Sequence, residues 1–356
     1  MSLRLSTAGE SHGPALVGIL TGLPAGLTLD REAIDADLAR RQQGYGRSPR
    51  QRIEQDHVDV LAGLRHGRTL GTPLALVVHN RDHENWRWGM SPWPPEGDPE
   101  GKGTKPVTLP RPGHADLAGT LKFGHGDVRD TLERASARQT AVTVAAGAVA
   151  KALLAELDVE VAGSVVELGN VDEAKADRDT VGGVVEARAR GVPPGLGSYA
   201  TKEDRLDARL AAALMGIQAV KGVEIGEGFG LANLRGSEAH DEIFRDERGV
   251  YRETNRAGGI EGGVSNGEEI VVRAAMKPLP TLMRPLRSVD IETGEAGEAL
   301  VERSDTAAVE ALSVVAEASV AFELARAARE KFGGDGLDDF VSAYRAYLER
   351  IPWQRR

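Results

Sequence analysis

The chain has 356 residues, 41% of them hydrophobic, enough to build a sizeable core in one large domain or two ordinary ones. It has no cysteine, which excludes disulfides, thiolate catalysis and cysteine-based zinc or iron–sulfur sites and fits a reducing compartment. A net charge of −10 and an aromatic content of 4% argue against nucleic acid as a partner, because phosphate-backbone binding needs a basic face and base stacking needs aromatic platforms.

The first eight residues carry no apolar run of the kind that opens a secretion signal. No stretch reaches the roughly 18 apolar residues of a membrane helix, so a cytoplasmic protein with no membrane partner is expected. Next comes Gly9-Glu10-Ser11-His12-Gly13. Glycine admits positive φ and close approach of a ligand, and histidine exchanges protons near neutrality, so this segment reads as a loop of an active site. A strand is predicted at 15–20, a helix at 31–41 and a strand at 73–79. The segment 80–113 is the longest without a regular pattern. It carries seven prolines and Trp86, Trp88 and Trp93, whose apolar area argues against disorder, and it reads as a lid or a subunit contact. It runs into a second glycine-flanked histidine, Arg111-Pro112-Gly113-His114-Ala115-Asp116. A helix at 135–157, a strand at 159–168, a helix at 204–214 and a strand at 220–225 follow. Residues 258–267 are too glycine-rich for a helix or a plain strand. A strand at 269–276 and helices at 305–332 and 338–349 complete the chain.

Two of these helices are unusual. The spans 137–157 and 309–327 are apolar on nearly every side, the second interrupted only by Ser313, Glu317 and Ser319. A helix that is apolar all round is covered all round. The expectation is therefore an α+β domain with helices inside and sheets outside. Strands do not alternate strictly with helices, which disfavours a doubly wound parallel sheet. Neither an internal repeat nor a linker is visible, so residues 1–356 are taken as one domain.

Cations cluster in this acidic chain. Arg40, Arg41, Arg47, Arg50 and Arg52 form one group, and Arg111, His114, Lys122, His125, Arg129, Arg134 and Arg138 form another. Arginine is abundant throughout, so no single one marks a site. Two clusters beside glycine-rich loops suggest a small, multiply anionic ligand, which the guanidinium fork suits. A P-loop, a complete G-x-G-x-x-G and an H-E-x-x-H are all absent, and His79 and His83 lack metal-ligand spacing. Gly9 to Gly13 fits G-x-S-x-G on paper, but a hydrolase elbow needs a strand before the serine and a helix after it, and here a strand follows.

Several segments resemble chorismate synthase in order and spacing. They are the Gly9 to Gly13 and Arg111 to Asp116 segments, Arg134-Ala135-Ser136-Ala137-Arg138, Val220-Lys221-Gly222-Val223-Glu224-Ile225-Gly226, Gly258-Gly259-Ile260-Glu261-Gly262-Gly263, Met276-Lys277-Pro278 through Thr281, Arg303-Ser304-Asp305 and Val315-Ala316-Glu317-Ala318. The resemblance runs over nearly the whole chain. It implies conversion of 5-enolpyruvylshikimate 3-phosphate to chorismate and phosphate by a 1,4-anti elimination that needs reduced FMN although it is redox-neutral. It also implies a β-α-β sandwich with buried helices between antiparallel sheets, and a homotetramer.

Matched position by position, the resemblance makes His12 a proton donor to the leaving phosphate, places His114 near the flavin ring, and makes Asp305 an aid to removal of the C6 proton. Ser11 and Ser136 become supporting hydroxyls. Implied flavin contacts are Arg134, Ala135, Ser136, Gln218, Ala219, Gly262, Lys277, Pro278, Leu279, Pro280, Thr281 and Arg303. Arg41, Arg47, Arg111 and Arg138 match a substrate or NADP pocket, and which anion Arg41 and Arg47 hold stays open. Gln139 and Ser319 depart from the family pattern, which has glutamate and methionine there. Whether the chain reduces its own FMN with NADPH is also open. No added reductase segment is visible, which favours supply from a separate flavin-reducing system. Two other classes stay in view: a non-catalytic flavin or anion binder, and another phosphate-handling enzyme such as a phosphotransferase.

Overall fold

A computed structural model describes residues 2–47, 55–247, 249–302 and 305–351. Its architecture is α+β, with two antiparallel four-stranded sheets and the main helices between them. The first sheet contains β1 (Arg4–Ala8), β2 (Ala15–Thr21), β3 (Val58–Ala62) and β4 (Leu74–His79) in the order β1-β2-β4-β3. The second contains β5 (Glu160–Leu168), β6 (Gly183–Arg190), β7 (Val220–Ile225) and β8 (Ile270–Met276) in the order β7-β8-β6-β5.

Seven helices matter for the site and the core. They are α1 (Arg31–Gln42), α2 (Asp116–Phe123), α3 (Arg129–Ala135), α4 (Thr140–Ala155), α5 (Leu206–Met215), α6 (Val309–Phe332) and α7 (Leu337–Glu349). Helices α4 and α6 pack on each other in the middle layer; α4 faces the first sheet and α6 lies against β5 and β6. Their buried residues, from Ala141 and Val142 to Ala327 and Ala328, join both sheets into one apolar core. This is the inside-out layering expected from helices that are apolar on all sides.

Small residues set the spacing of the middle layer. A Cβ on Gly147 of α4 would stand 2.3 Å from the Ala318 Cβ and 2.5 Å from its Cα, so the two helix backbones meet at a point only glycine permits. One polar cluster interrupts this apolar layer. Glu317 of α6, 2% exposed, accepts from Arg40 of α1 at 2.8 Å, Lys151 of α4 at 2.6 Å and the Gly163 N–H of β5 at 2.9 Å. Asp37 completes it, 2.8 Å from Arg40 and 2.5 Å from Lys151. Two cations and two carboxylates thus tie four elements together, and the Glu317 lone pairs are satisfied as burial requires.

The structure corrects several sequence expectations. The predicted helix at 135–157 starts late: Ala135 is the last residue of α3, Ser136 is extended at ψ 143°, a short 3-10 turn spans Ala137–Gln139, and α4 runs from Thr140 to Ala155. The helix expected from 305 begins at Val309, leaving Asp305 outside it. Strands β1, β3 and β6 and helices α2 and α3 were not anticipated. The 80–113 segment is partly regular, since Arg81–Trp86 forms a 3-10 helix whose Trp86 is buried, while Trp93 stays 78% exposed.

Candidate active site

The site assembles where the loop after β1, the loop before α2, the α3–α4 junction and the segments after β8 and before α6 converge. Gly9 turns the chain out of β1 at φ +114°, and a Cβ there would lie 2.5 Å from the Ala15 carbonyl oxygen, so glycine is required. The loop is then held from behind. Asn80 donates from its amide to the carbonyls of Glu10 and Gly13, and His83 Nδ1 lies 2.9 Å from the His12 carbonyl. His12 is 5% exposed. Its Nδ1 lies 2.8 Å from Glu133 Oε1, its backbone N–H donates to Glu133 Oε2 at 2.8 Å, and its ring stacks on Trp86 with centroids 4.0 Å apart. Ser136 donates to Ser11 at 3.2 Å, fixing the hydroxyl pair beside it.

His114 is anchored differently. Its Nδ1 lies 2.5 Å from Asp116 Oδ1 at the start of α2, and Arg111 grips both oxygens of the same carboxylate at 2.8 and 3.1 Å. Burial works to raise the Asp116 pKa, but the hydrogen bonds from His114 and Arg111 and their charges prevail and hold it far below the usual carboxylate range. An ionised carboxylate only accepts, so Nδ1 of His114 is the donor and Nε2 is its remaining nitrogen. Arg111 also donates to Thr281 at 2.8 Å, joining the segment after β8 to the loop before α2. Lys277 adds a second tie, donating to the Gly113 carbonyl at 2.9 Å. Burial, with repulsion from Lys221, lowers the Lys277 pKa below its ordinary value.

The arginines form the opposite wall. Arg41 is buried, donating to Thr140 at 2.9 Å and facing Asp56 at 3.3 Å. Burial pushes its pKa down to about 9 against the pull of Asp56, which leaves it charged at neutral pH. Arg138 donates to the same Asp56 oxygen at 2.7 Å and to Asn80 at 2.8 Å. Arg47 pairs with Asp305 at 2.7 Å, and its buried Nε has no hydrogen-bond partner among the described residues.

These groups enclose one cavity of about 620 Å³, within the usual range for a small-molecule site. Ser11, His12, His114, Ser136 and Asp305 line it, as do Arg41, Arg47, Arg111 and Arg138. So do Ala135, Gln218, Ala219, Lys277, Leu279, Pro280 and Thr281. Lys221 makes a sixth Arg or Lys on the wall, against two carboxylates, Glu302 and Asp305, so the cavity favours anions. Leu132, Met215, Ile217, Leu312 and Val315 supply an apolar side.

Not every expected residue is there. Pro278 does not line the cavity. Arg134 donates to the carbonyls of Thr7 and Gly9 and borders a shallow neighbouring depression instead. Gly262 sits in a hairpin turn between Ile260–Glu261 and Val264–Ser265. Arg303 lies outside the described residues, as do Arg50 and Arg52. Glu133, and the stacking of Trp86 on His12, escaped the sequence reading. Their role depends on α3 and the 3-10 turn folding back behind the first loop.

Comparison with known proteins agrees with this arrangement. The chorismate synthase family profile matches residues 3–177 and 169–328. A chorismate synthase of Desulforudis audaxviator is 55% identical, with 99% of each chain covered. One from Symbiobacterium thermophilum is 52% identical over 98% of this chain and 99% of that one. The chain belongs to the chorismate synthase family. A solved crystal structure of chorismate synthase superposes with a TM-score of 0.78 at 36% identity, covering 99% of this chain and 98% of the other. The layered fold described above is therefore that of chorismate synthase. Among the described residues no helix is long and apolar enough to cross a membrane, and no group of three metal-ligating side chains forms.

Proposed function

We propose that this chain is a lyase of the shikimate pathway that converts 5-enolpyruvylshikimate 3-phosphate to chorismate and phosphate by 1,4-anti elimination with reduced FMN. The observation that carries the reading is the single cavity in which His12, His114 and Asp305 share walls with Arg41, Arg47, Arg111, Arg138, Lys221 and Lys277. The substrate has two carboxylates and a phosphate, and FMN has a phosphate. A cation-lined cavity with one apolar side fits both, and the buried Arg47 Nε, which has no partner among the described residues, is a donor for an anion.

In the elimination the carbon–oxygen bond to phosphate breaks, a proton leaves C6 and a new double bond forms. Reduced FMN, held by residues such as Arg111 and Lys277 on this wall, would supply reversible electron donation that eases loss of phosphate. His12 gives its proton to the departing phosphate, which leaves more easily when protonated. Asp305 assists removal of the C6 proton, with Arg47 balancing its charge until substrate competes for that guanidinium. Arg111, clamped by Asp116, and Lys277 would hold the negative charge of a reduced flavin, with His114 on the same cavity wall. Arg41 and Arg138, locked by Asp56, form a rigid anion-binding wall that loses little entropy on binding.

The working assembly in this reading is a cytoplasmic homotetramer supplied with reduced flavin by a separate system, with NADPH acting only as a reductant. Light scattering at micromolar concentration should give about four chain masses, and a monomer mass would contradict the tetramer. The reaction itself is tested anaerobically with chemically reduced FMN, with and without NADPH. Chorismate should form with reduced FMN alone and not with oxidised FMN. Full-rate formation without reduced flavin would overturn the reading.

A further inference from the structure

The residue behind His12 is more than a neutralising charge. Glu133 lies on α3, is 2% exposed and does not line the cavity, whereas His12 does. It offers both oxygens to one residue: Oε2 takes the His12 backbone N–H at 2.8 Å, and Oε1 lies 2.8 Å from Nδ1. Arg129, one turn earlier on α3, donates to Oε1 at 3.2 Å. The same guanidinium sits 4.8 Å over Trp86, the ring stacked on the imidazole. The imidazole is therefore held at its edge by a carboxylate and on its face by an indole, and Arg129 backs both supports.

We propose, given the reading of His12 as proton donor, that Glu133 is a positioning residue that fixes the His12 tautomer and makes Nε2 the atom that exchanges a proton in the cavity. The argument is one of donors and acceptors. With His12 neutral, the Glu133 carboxylate still accepts from the His12 backbone N–H and from Arg129, which favour its ionised form against the burial that works to raise its pKa. An ionised carboxylate has no hydrogen to give, so Nδ1 of neutral His12 must carry one. The ring flip that would exchange Nδ1 for a carbon removes this bond and leaves a buried carboxylate oxygen with one donor fewer. A glutamine cannot substitute. It has a single oxygen for two N–H groups that point at it, and its amide would set a donor against a donor.

The proposal is tested by 15N spectra of histidine-labelled protein at a pH where His12 is neutral, its signal assigned by its loss in His12→Asn. The wild type should show His12 with the proton on Nδ1. Glu133→Gln should show a tautomer mixture and lose about tenfold or more in kcat, a cautious figure beside the 10²–10⁴ of a general acid. KM and the FMN Kd should stay within about twofold, because Glu133 does not reach the cavity; a merely structural residue would change stability and leave the tautomer alone. A wild-type spectrum with the proton on Nε2, or full kcat in folded Glu133→Gln, would overturn it. If Glu133→Gln does not fold, the wild-type spectrum decides by itself. Failure of the wild type to form chorismate would remove the proposed reaction and leave the tautomer result standing.

Discussion

Asp305 sits four residues before Val309, where α6 begins, and the N-cap position belongs to Ala308, which makes no side-chain cap. A helix-capping role therefore does not explain this aspartate. The carboxylate instead lines the cavity, paired with Arg47 at 2.7 Å. Asp305→Asn keeps the shape but cannot accept a proton. It should fold and bind FMN normally yet lose at least about tenfold in turnover, a floor beneath the 10²–10⁴ of a general base. Wild-type turnover in the folded variant would remove Asp305 from the reaction. Arg47→Ala should weaken substrate more than FMN, by about 1.5–3 kcal/mol for a lost charge-assisted hydrogen bond in a desolvated site. Equal weakening in titrations of both ligands would mean that Arg47 shapes its loop instead. At this scale the sequence shows residues that stand in local motifs, such as His12 and His114. It hides Glu133, whose partner is 121 positions away and whose own neighbourhood reads as an ordinary charged helix.

Among the elements, α4 and α6 were the most legible, because a helix without a polar face has one solution, burial on all sides. The breaks near them were not. Ser136 holds the start of the expected helix back to Thr140, since its extended backbone lets the hydroxyl accept from the Arg138 N–H and donate to Ser11, a site requirement that no local propensity reports. Strand β6 was missed because Arg188 and Arg190 give its end a charged look. Both are in fact paired with Glu269, and Arg188 also with Glu186. The close contact of α4 with α6 yields a prediction in which two effects oppose. Gly147→Ala gains about 1 kcal/mol of helix propensity. Overpacking costs about 1–3 kcal/mol, towards the upper end here because the obstacle includes the Ala318 backbone, which cannot swing aside. The net should be destabilisation, read as a lower urea midpoint. A midpoint at or above the wild type would show that the helices can separate at little cost.

Over the whole molecule, buried carboxylates make stability depend on acidity in one direction. Glu133, Glu317 and Asp116 all have folded-state pKa values lowered, because the hydrogen bonds and cations around them outweigh the burial that would raise them. A lowered folded value means that the unfolded chain binds more protons as pH falls. Their contribution is thus present in full above the unfolded values, about 4 to 4.5, and is lost as pH falls below them. The urea midpoint should hold between pH 6 and 8, on the order of neutrality, and drop steeply below about pH 4.5; a level midpoint down to about pH 3 would contradict this. The cluster of Asp37, Arg40, Lys151 and Glu317 has a second consequence, in temperature. Hydration of ions becomes less favourable on warming, so the cost of keeping these four groups out of water shrinks while their mutual attraction persists. Hydrophobic contacts in the same layer gain no comparable advantage. The fastening between α1, α4 and α6 should therefore carry a growing share of the fold as the protein is heated, and neutralising Glu317 should do more damage near the melting temperature than in the cold.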